Sequence, residues 1–104
     1  LRKQVEGVAV EERMFQYVLD LVSATRRSND VLVGASPRAG IALLLCAKAL
    51  AALRGREFVI PDDIKELALP VLRHRVLLRP ETEIEGLTVD RVVKGMVESQ
   101  VVPR

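Results

Sequence analysis

Apolar positions along the chain recur at helical spacing in four stretches, separated by short extended or turn-like pieces. From about Glu11, the residues Met14, Val18, Leu21, Val22 and Thr25 fall at spacings that align them on one face of a first helix. Phe15 and Leu19 read as widening that stripe. Arg26, Arg27, Ser28, Asn29 and Asp30 end it, with cations at the negative end of the helix dipole and turn formers just after. Residues 1–9, which include Gly7, show no period and read as an irregular lead-in.

Val31-Leu32-Val33-Gly34 is a brief extended piece, and Ser36-Pro37 is a strong helix start. The Ser36 side chain is expected to cap the open N–H groups, and Pro37 suits the first helical position. The second helix runs to about Leu53 and closes at Arg54-Gly55-Arg56. Its first half, with Leu44 and Leu45, is apolar on every side, and its second half is alanine-rich (Ala47, Ala49, Ala51, Ala52). Such a helix belongs at the centre of a bundle, with neighbours close by.

Phe58-Val59-Ile60 is a second extended piece leading into Pro61-Asp62-Asp63, where proline and two acids open a third helix. Ile64, Leu67 and Ala68 supply its inner face. Pro70 lacks an N–H and is expected to end or kink it, with a short further turn through Val71 and Leu72. Val76-Leu77-Leu78 reads as extended and available to pair with another short strand, and residues 79–86 read as loop. A last helix opens near Thr88, with Val92, Val93, Met96 and Val97 inside. The predicted class is mostly α: four helices with short extended linkers.

Composition narrows the picture. A chain of 104 residues supports one domain, and 49% hydrophobic with 29% charged residues is an ordinary globular balance. With one Tyr, two Phe and no Trp, the core must be aliphatic. The net charge of +2, from 16 basic and 14 acidic residues, is dispersed along the chain. A nucleic-acid binder clusters cations on one face and interleaves aromatics, so the expectation is no nucleic acid. The apolar run Ile41–Ala47 stops at Lys48, far short of a membrane span, so no membrane is expected either. Cys46 is the only cysteine, which excludes an internal disulfide, and its apolar surroundings predict a buried thiol. A reducing compartment fits this usage. The chain opens on Leu1 rather than Met, which leads us to expect a piece of a longer protein.

Candidate chemistry is sparse. His74 is the only histidine, stands between Arg73 and Arg75, and has no nucleophile beside it. It reads as one of three cations at a helix end, against a functional alternative as a contact or titrating group. One Cys and one His make no metal site. Asp62-Asp63 reads as a pair of dipole partners rather than a magnesium site. A phosphate-cradling G-x-x-x-x-G-K-[ST] loop is absent, so the chain alone is expected to be inactive toward nucleotides. Arg38 breaks a local rule, because it adds a cation to the positive end of the second helix. It is either a solvated surface arginine or half of an anion site, since helix N-termini and guanidinium forks both suit phosphate.

Five segments in order then carry a family resemblance. Val33-Gly34-Ala35-Ser36-Pro37-Arg38-Ala39 resembles the sensor 2 motif, G-[AT]-S-P-R-[AG], of MoxR-family AAA+ ATPases. Tyr17, Leu21-Val22 and Thr25-Arg26 resemble the preceding helix, Y-[IV]-x-x-L-V-x-x-T-R. Leu50 to Val59 resembles A-x-A-x-x-x-G-R-x-[FY]-V, Pro61-Asp62-Asp63-Ile64 resembles P-[DE]-D-[VI], and Val71 to Arg75 resembles V-L-x-H-R. The resemblance covers roughly residues 5–103. Ile60 stands where relatives often have Thr or Ser, so a side-chain cap of the third helix is lost.

The resemblance implies a four-helix AAA+ lid bundle over residues 10–104, preceded by a connector, residues 1–9, from a missing ATPase core. Arg2 and Lys3 would belong to the tail of that core. The core would bind ATP and Mg for the most part. The lid would contribute Arg38 as the sensor 2 and catalytic arginine, with Ser36 and Pro37 beside the nucleotide. The parent would be a cytoplasmic ATPase, a chaperone-like, hexameric ring. It would remodel or assemble client proteins, von Willebrand factor A-domain proteins among them. Its lid would contact its own core and the neighbouring subunits. The competing readings are a helical nucleic-acid-binding module, or a protein-interaction module without a nucleotide role.

Overall fold

The computed structural model describes residues 7–103. Most of the expected connector, with Arg2 and Lys3, lies outside the described residues, as does Arg104. Seven elements follow one another: α1 (Glu12–Arg27), β1 (Val31–Val33), α2 (Pro37–Leu53), α3 (Pro61–Leu72), β2 (Leu77–Leu78), α4 (Pro80–Ile84) and α5 (Val89–Ser99). α2 packs against both α1 and α3, and α5 closes the ring by resting on α3 and α1. The four helices expected from periodicity therefore form one mostly α bundle around an aliphatic core. Leu21, Leu43, Ile64, Leu72 and Val93 are the largest apolar side chains at its centre.

The stripe on α1 is narrower than the sequence suggested. Met14, Tyr17, Val18, Leu21, Val22 and Thr25 are buried, whereas Phe15 and Leu19 are exposed. α2 is central, but its burial follows only the small-residue face. Ala39, Gly40, Leu43, Ala47 and Ala51 are buried, and Leu44 is half-buried. Ile41 and Leu45 are exposed, and the Cys46 thiol is exposed rather than buried. The reason is geometric. Only α1 and α3 pack closely on α2, so an all-apolar sequence leaves some apolar side chains outside.

α3 continues through Pro70 to Leu72 instead of ending before it. Pro70 lies on the exposed side of the helix, so the carbonyl it leaves unpaired one turn back faces water and the break is tolerated. Residues 79–86 are not wholly loop, because Pro80–Ile84 form a short helix with Glu81 and Glu83 in its first turn. Gly86, at φ 93°, terminates that stretch in the left-handed region that glycine adopts freely.

β1 and β2 pair antiparallel, Val31 with Leu78 and Val33 with Leu77, across an irregularity in the register. The ladder extends where the Arg79 N–H donates to the Asp30 carbonyl at 2.9 Å. A second contact joins the start of the chain to the α2–α3 link. The Ala9 N–H donates to the Glu57 carbonyl at 2.8 Å, and the Val59 N–H donates to the Ala9 carbonyl at 3.0 Å. Val8 is buried, so the described end of the expected connector is part of the core.

Candidate site at the start of the second helix

The turn from β1 into α2 carries the sensor-like segment. Ser36 holds the extended N-cap position and Pro37 opens the helix, as read from the sequence. The expected side-chain cap is not made, however, and the Ser36 hydroxyl stays exposed. Its carbonyl does the local work instead, accepting the Ala39 N–H at 2.9 Å. Pro37 contributes no N–H, so the first turn of α2 ends in few donors and one guanidinium, that of Arg38.

Arg38 is exposed and makes no ion pair among the described residues. Every other helix described here carries an acid in its first turn: Glu12, Asp62 with Asp63, Glu81 with Glu83, and Asp90. α2 carries none there, and places Arg38 in that position. The usual dipole compensation is thus inverted at this one helix. Charge of the opposite sign must come from solvent or from a bound anion. Ile41 and Leu45 follow Arg38 at spacings of three and seven, so a strip of exposed apolar surface runs from the arginine along α2.

The ground beneath Arg38 is tightly held. Ala35 and Ala39 are completely buried on either side of the turn. A Cβ at Gly40 would lie 3.3 Å from Val22 and 3.5 Å from Val18, so glycine lets the start of α2 sit close against α1. The guanidinium therefore projects from a fixed backbone, and only its own side-chain torsions are free.

The remaining sequence candidates separate from this place. His74 is exposed beyond the end of α3. Asp62 is exposed, but Asp63 is fully buried. The Asp63 carboxylate accepts a hydrogen bond from the Arg56 guanidinium and another from the Ile60 N–H at 3.0 Å. Asp63 is thus a structural anchor, and it replaces the cap that Ile60 cannot supply. The sequence offered no signal for its burial, since Asp62-Asp63 read there as a pair of dipole partners at the helix start. No group of three or more His, Cys, Asp or Glu side chains that could hold a metal ion occurs among the described residues.

Comparison with known proteins agrees with the fold. The AAA lid domain family matches residues 23–95. The YeaC protein of Bacillus subtilis is 38% identical over 103 residues, covering 99% of this chain and 32% of YeaC. The chaperone MoxR1 of Mycobacterium tuberculosis is 34% identical over 104 residues, covering 91% of this chain and 28% of MoxR1. A crystal structure of a Cytophaga hutchinsonii protein assigned as an ATPase superposes with a TM-score of 0.91 at 32% identity. That match covers 99% of this chain and 34% of the other. The chain thus spans about a third of the length of the relatives it matches.

Proposed function

The chain belongs to the AAA lid domain family as a lid of MoxR type, and from that premise we propose that Arg38 is its sensor 2 arginine. The full-length parent is an ATPase whose core holds ATP and Mg, while the lid closes over the nucleotide. Arg38 then reaches the terminal phosphate from the start of α2, with Ser36 and Pro37 shaping the approach. The observation that carries this reading is the inverted charge of that helix start. An exposed arginine stands where every other described helix has an acid.

The physical step is differential contact. A guanidinium offers two parallel N–H donors to phosphate oxygens, and the positive helix end reinforces them. ATP presents the terminal phosphate and ADP does not, so hydrolysis removes this partner and the lid reorients against the core. The exposed strip of Ile41 and Leu45 beside Arg38 supports an apposed protein surface there, which in this reading is the ATPase core. The parent works in the cytoplasm as a ring, hexameric in the family pattern, and remodels or assembles client proteins. Von Willebrand factor A-domain proteins are the client class the resemblance points to.

The test is Arg38→Ala in the full-length parent. Charge-assisted hydrogen bonds contribute about 1.5–3 kcal/mol, so turnover should fall roughly tenfold to hundredfold. ADP affinity and the melting temperature should stay near wild type, because Arg38 is exposed and its removal relieves repulsion at the helix end. Arg38→Lys should restore only part of the rate, since a point charge lacks the two-pronged contact. Wild-type turnover of Arg38→Ala would overturn the assignment.

A further inference from the structure

The loop that delivers Arg38 is tied to α1 at one buried hydroxyl. Thr25 is 1% exposed and uses its Oγ1 twice. It donates to the Val22 carbonyl at 2.6 Å within its own helix, and it accepts the Ala35 N–H at 3.0 Å from across the loop. Because its hydrogen is committed to Val22, the lone pair that receives Ala35 has a set direction. Gly34 adds a second tie. A Cβ there would lie 2.7 Å from the Arg26 Cα and Cγ and 2.8 Å from the Arg26 nitrogen, so the loop lies flush on the α1 backbone. A helix backbone cannot yield as the tip of a side chain can. Two residues separate Ala35 from Arg38, the N-cap Ser36 and the ring-restricted Pro37.

We infer that Thr25 is a positioning residue for ATP hydrolysis, acting through Arg38. Its hydroxyl sets the height and register of the loop on α1, and through Ser36-Pro37 it sets where the Arg38 guanidinium points. Displacement of a contacting group by about 1 Å is enough to cost up to about a hundredfold in rate, so a tie of this kind matters to catalysis without touching the nucleotide. This inference rests on the reading of Arg38 as the phosphate-contacting arginine. A purely structural Thr25 would satisfy a buried N–H and nothing more. The two roles part company in a double-mutant comparison, because a positioning effect disappears once Arg38 is gone and a structural effect does not.

The experiment measures ATP turnover, ADP affinity and melting temperature for the full-length parent carrying Thr25→Val, Arg38→Ala or both, below all melting transitions. Thr25→Val keeps the shape and removes the hydroxyl, so turnover should fall about tenfold with ADP affinity unchanged. Thr25→Ser should restore the rate. Adding Thr25→Val to Arg38→Ala should lower turnover no further, although the melting temperature drops by the same amount in either background. Multiplying rate losses in the double variant would overturn the inference, as would wild-type turnover in Thr25→Val. Wild-type turnover in Arg38→Ala would remove the Arg38 reading itself, and this inference with it. If Thr25→Val does not fold, Gly34→Ala, which lifts the same loop and leaves the hydroxyl in place, must show the same dependence on Arg38.

Discussion

Arg56, in the link between α2 and α3, and Asp63, in the first turn of α3, form an ion pair whose carboxylate is wholly buried. Arg54 approaches the same oxygen at 3.8 Å and also holds Glu66 at 2.7 Å, so the pair belongs to a small network. The Asp63 carboxylate additionally takes the Ile60 N–H, which closes the start of α3, while Arg54 and Arg56 tie that start to the end of α2. Breaking this pair from the acidic side strands the Arg56 guanidinium in a partly buried place. Asp63→Ala should therefore cost about 2–4 kcal/mol, below the roughly 3–5 kcal/mol of a fully buried pair, because Arg56 retains some solvent. Asp62→Ala, one residue away and exposed, should change stability by no more than about 0.5 kcal/mol. Urea denaturation of both variants checks the contrast, and equal losses would show that the buried pair is not an anchor.

Core position within α2 gives a second contrast. Leu43 is fully buried, whereas Leu45 is exposed on the opposite side of the same helix. Leu43→Ala should destabilise the domain by about 2–5 kcal/mol, through lost burial and the cavity left behind. Leu45→Ala should leave the isolated domain nearly unchanged. Thermal midpoints measured on the 104-residue chain decide it. A large loss at Leu45 would mean that its strip is covered in the isolated domain.

Local spacing and local turn chemistry located all four long helices, both short strands and the residues that begin α2. What it could not show was which apolar side chains stay outside. Phe15, Leu19, Ile41 and Leu45 differ from their buried neighbours only by their angle to helices that are distant in sequence. α4 was missed although Pro80, Glu81 and Glu83 repeat the proline-and-acid start recognised at Pro61, because five residues are too few to show a period. Pro70 misled for the converse reason, since a local rule about N–H groups yields when the freed carbonyl faces water. The family wording named Thr25, Arg56 and Asp63 but gave them no task. Their partners, Ala35 for Thr25 and the Arg56–Asp63 pair, became visible only in the fold.

The 104-residue chain by itself should bind ATP weakly and show no turnover. One guanidinium at one helix end cannot replace a cradle of backbone donors around three phosphates. Isothermal calorimetry against ATP and magnesium tests this directly. Micromolar affinity would mean that the lid carries a nucleotide site of its own.

Tyr17 supplies the last prediction, and it is the only tyrosine in a chain without tryptophan. Its ring is buried in the α1 face, and its hydroxyl is buried with no hydrogen-bond partner among the described residues. Burial pushes the phenol pKa above its ordinary value of 10.0, and the negative charge of Asp62 pushes it further the same way. The sign follows from linkage. Below about pH 10 the phenol is neutral in both the folded and the unfolded chain, and its contribution to stability is constant. Above that pH the unfolded phenol releases its proton while the folded one retains it, so stability falls as pH rises toward the folded pKa. Tyr17→Phe removes this slope and also removes a buried, unpaired hydroxyl. It should match or exceed wild-type stability at neutral pH, by up to about 1–3 kcal/mol, and should resist alkaline unfolding better than wild type. Tyrosinate absorbance reads the single phenol directly, and denaturant midpoints of the two proteins from neutral pH upward give the slope. A wild-type phenol that titrates at the ordinary value, or a Tyr17→Phe protein that loses stability at neutral pH, would show that the hydroxyl has a partner holding it in place.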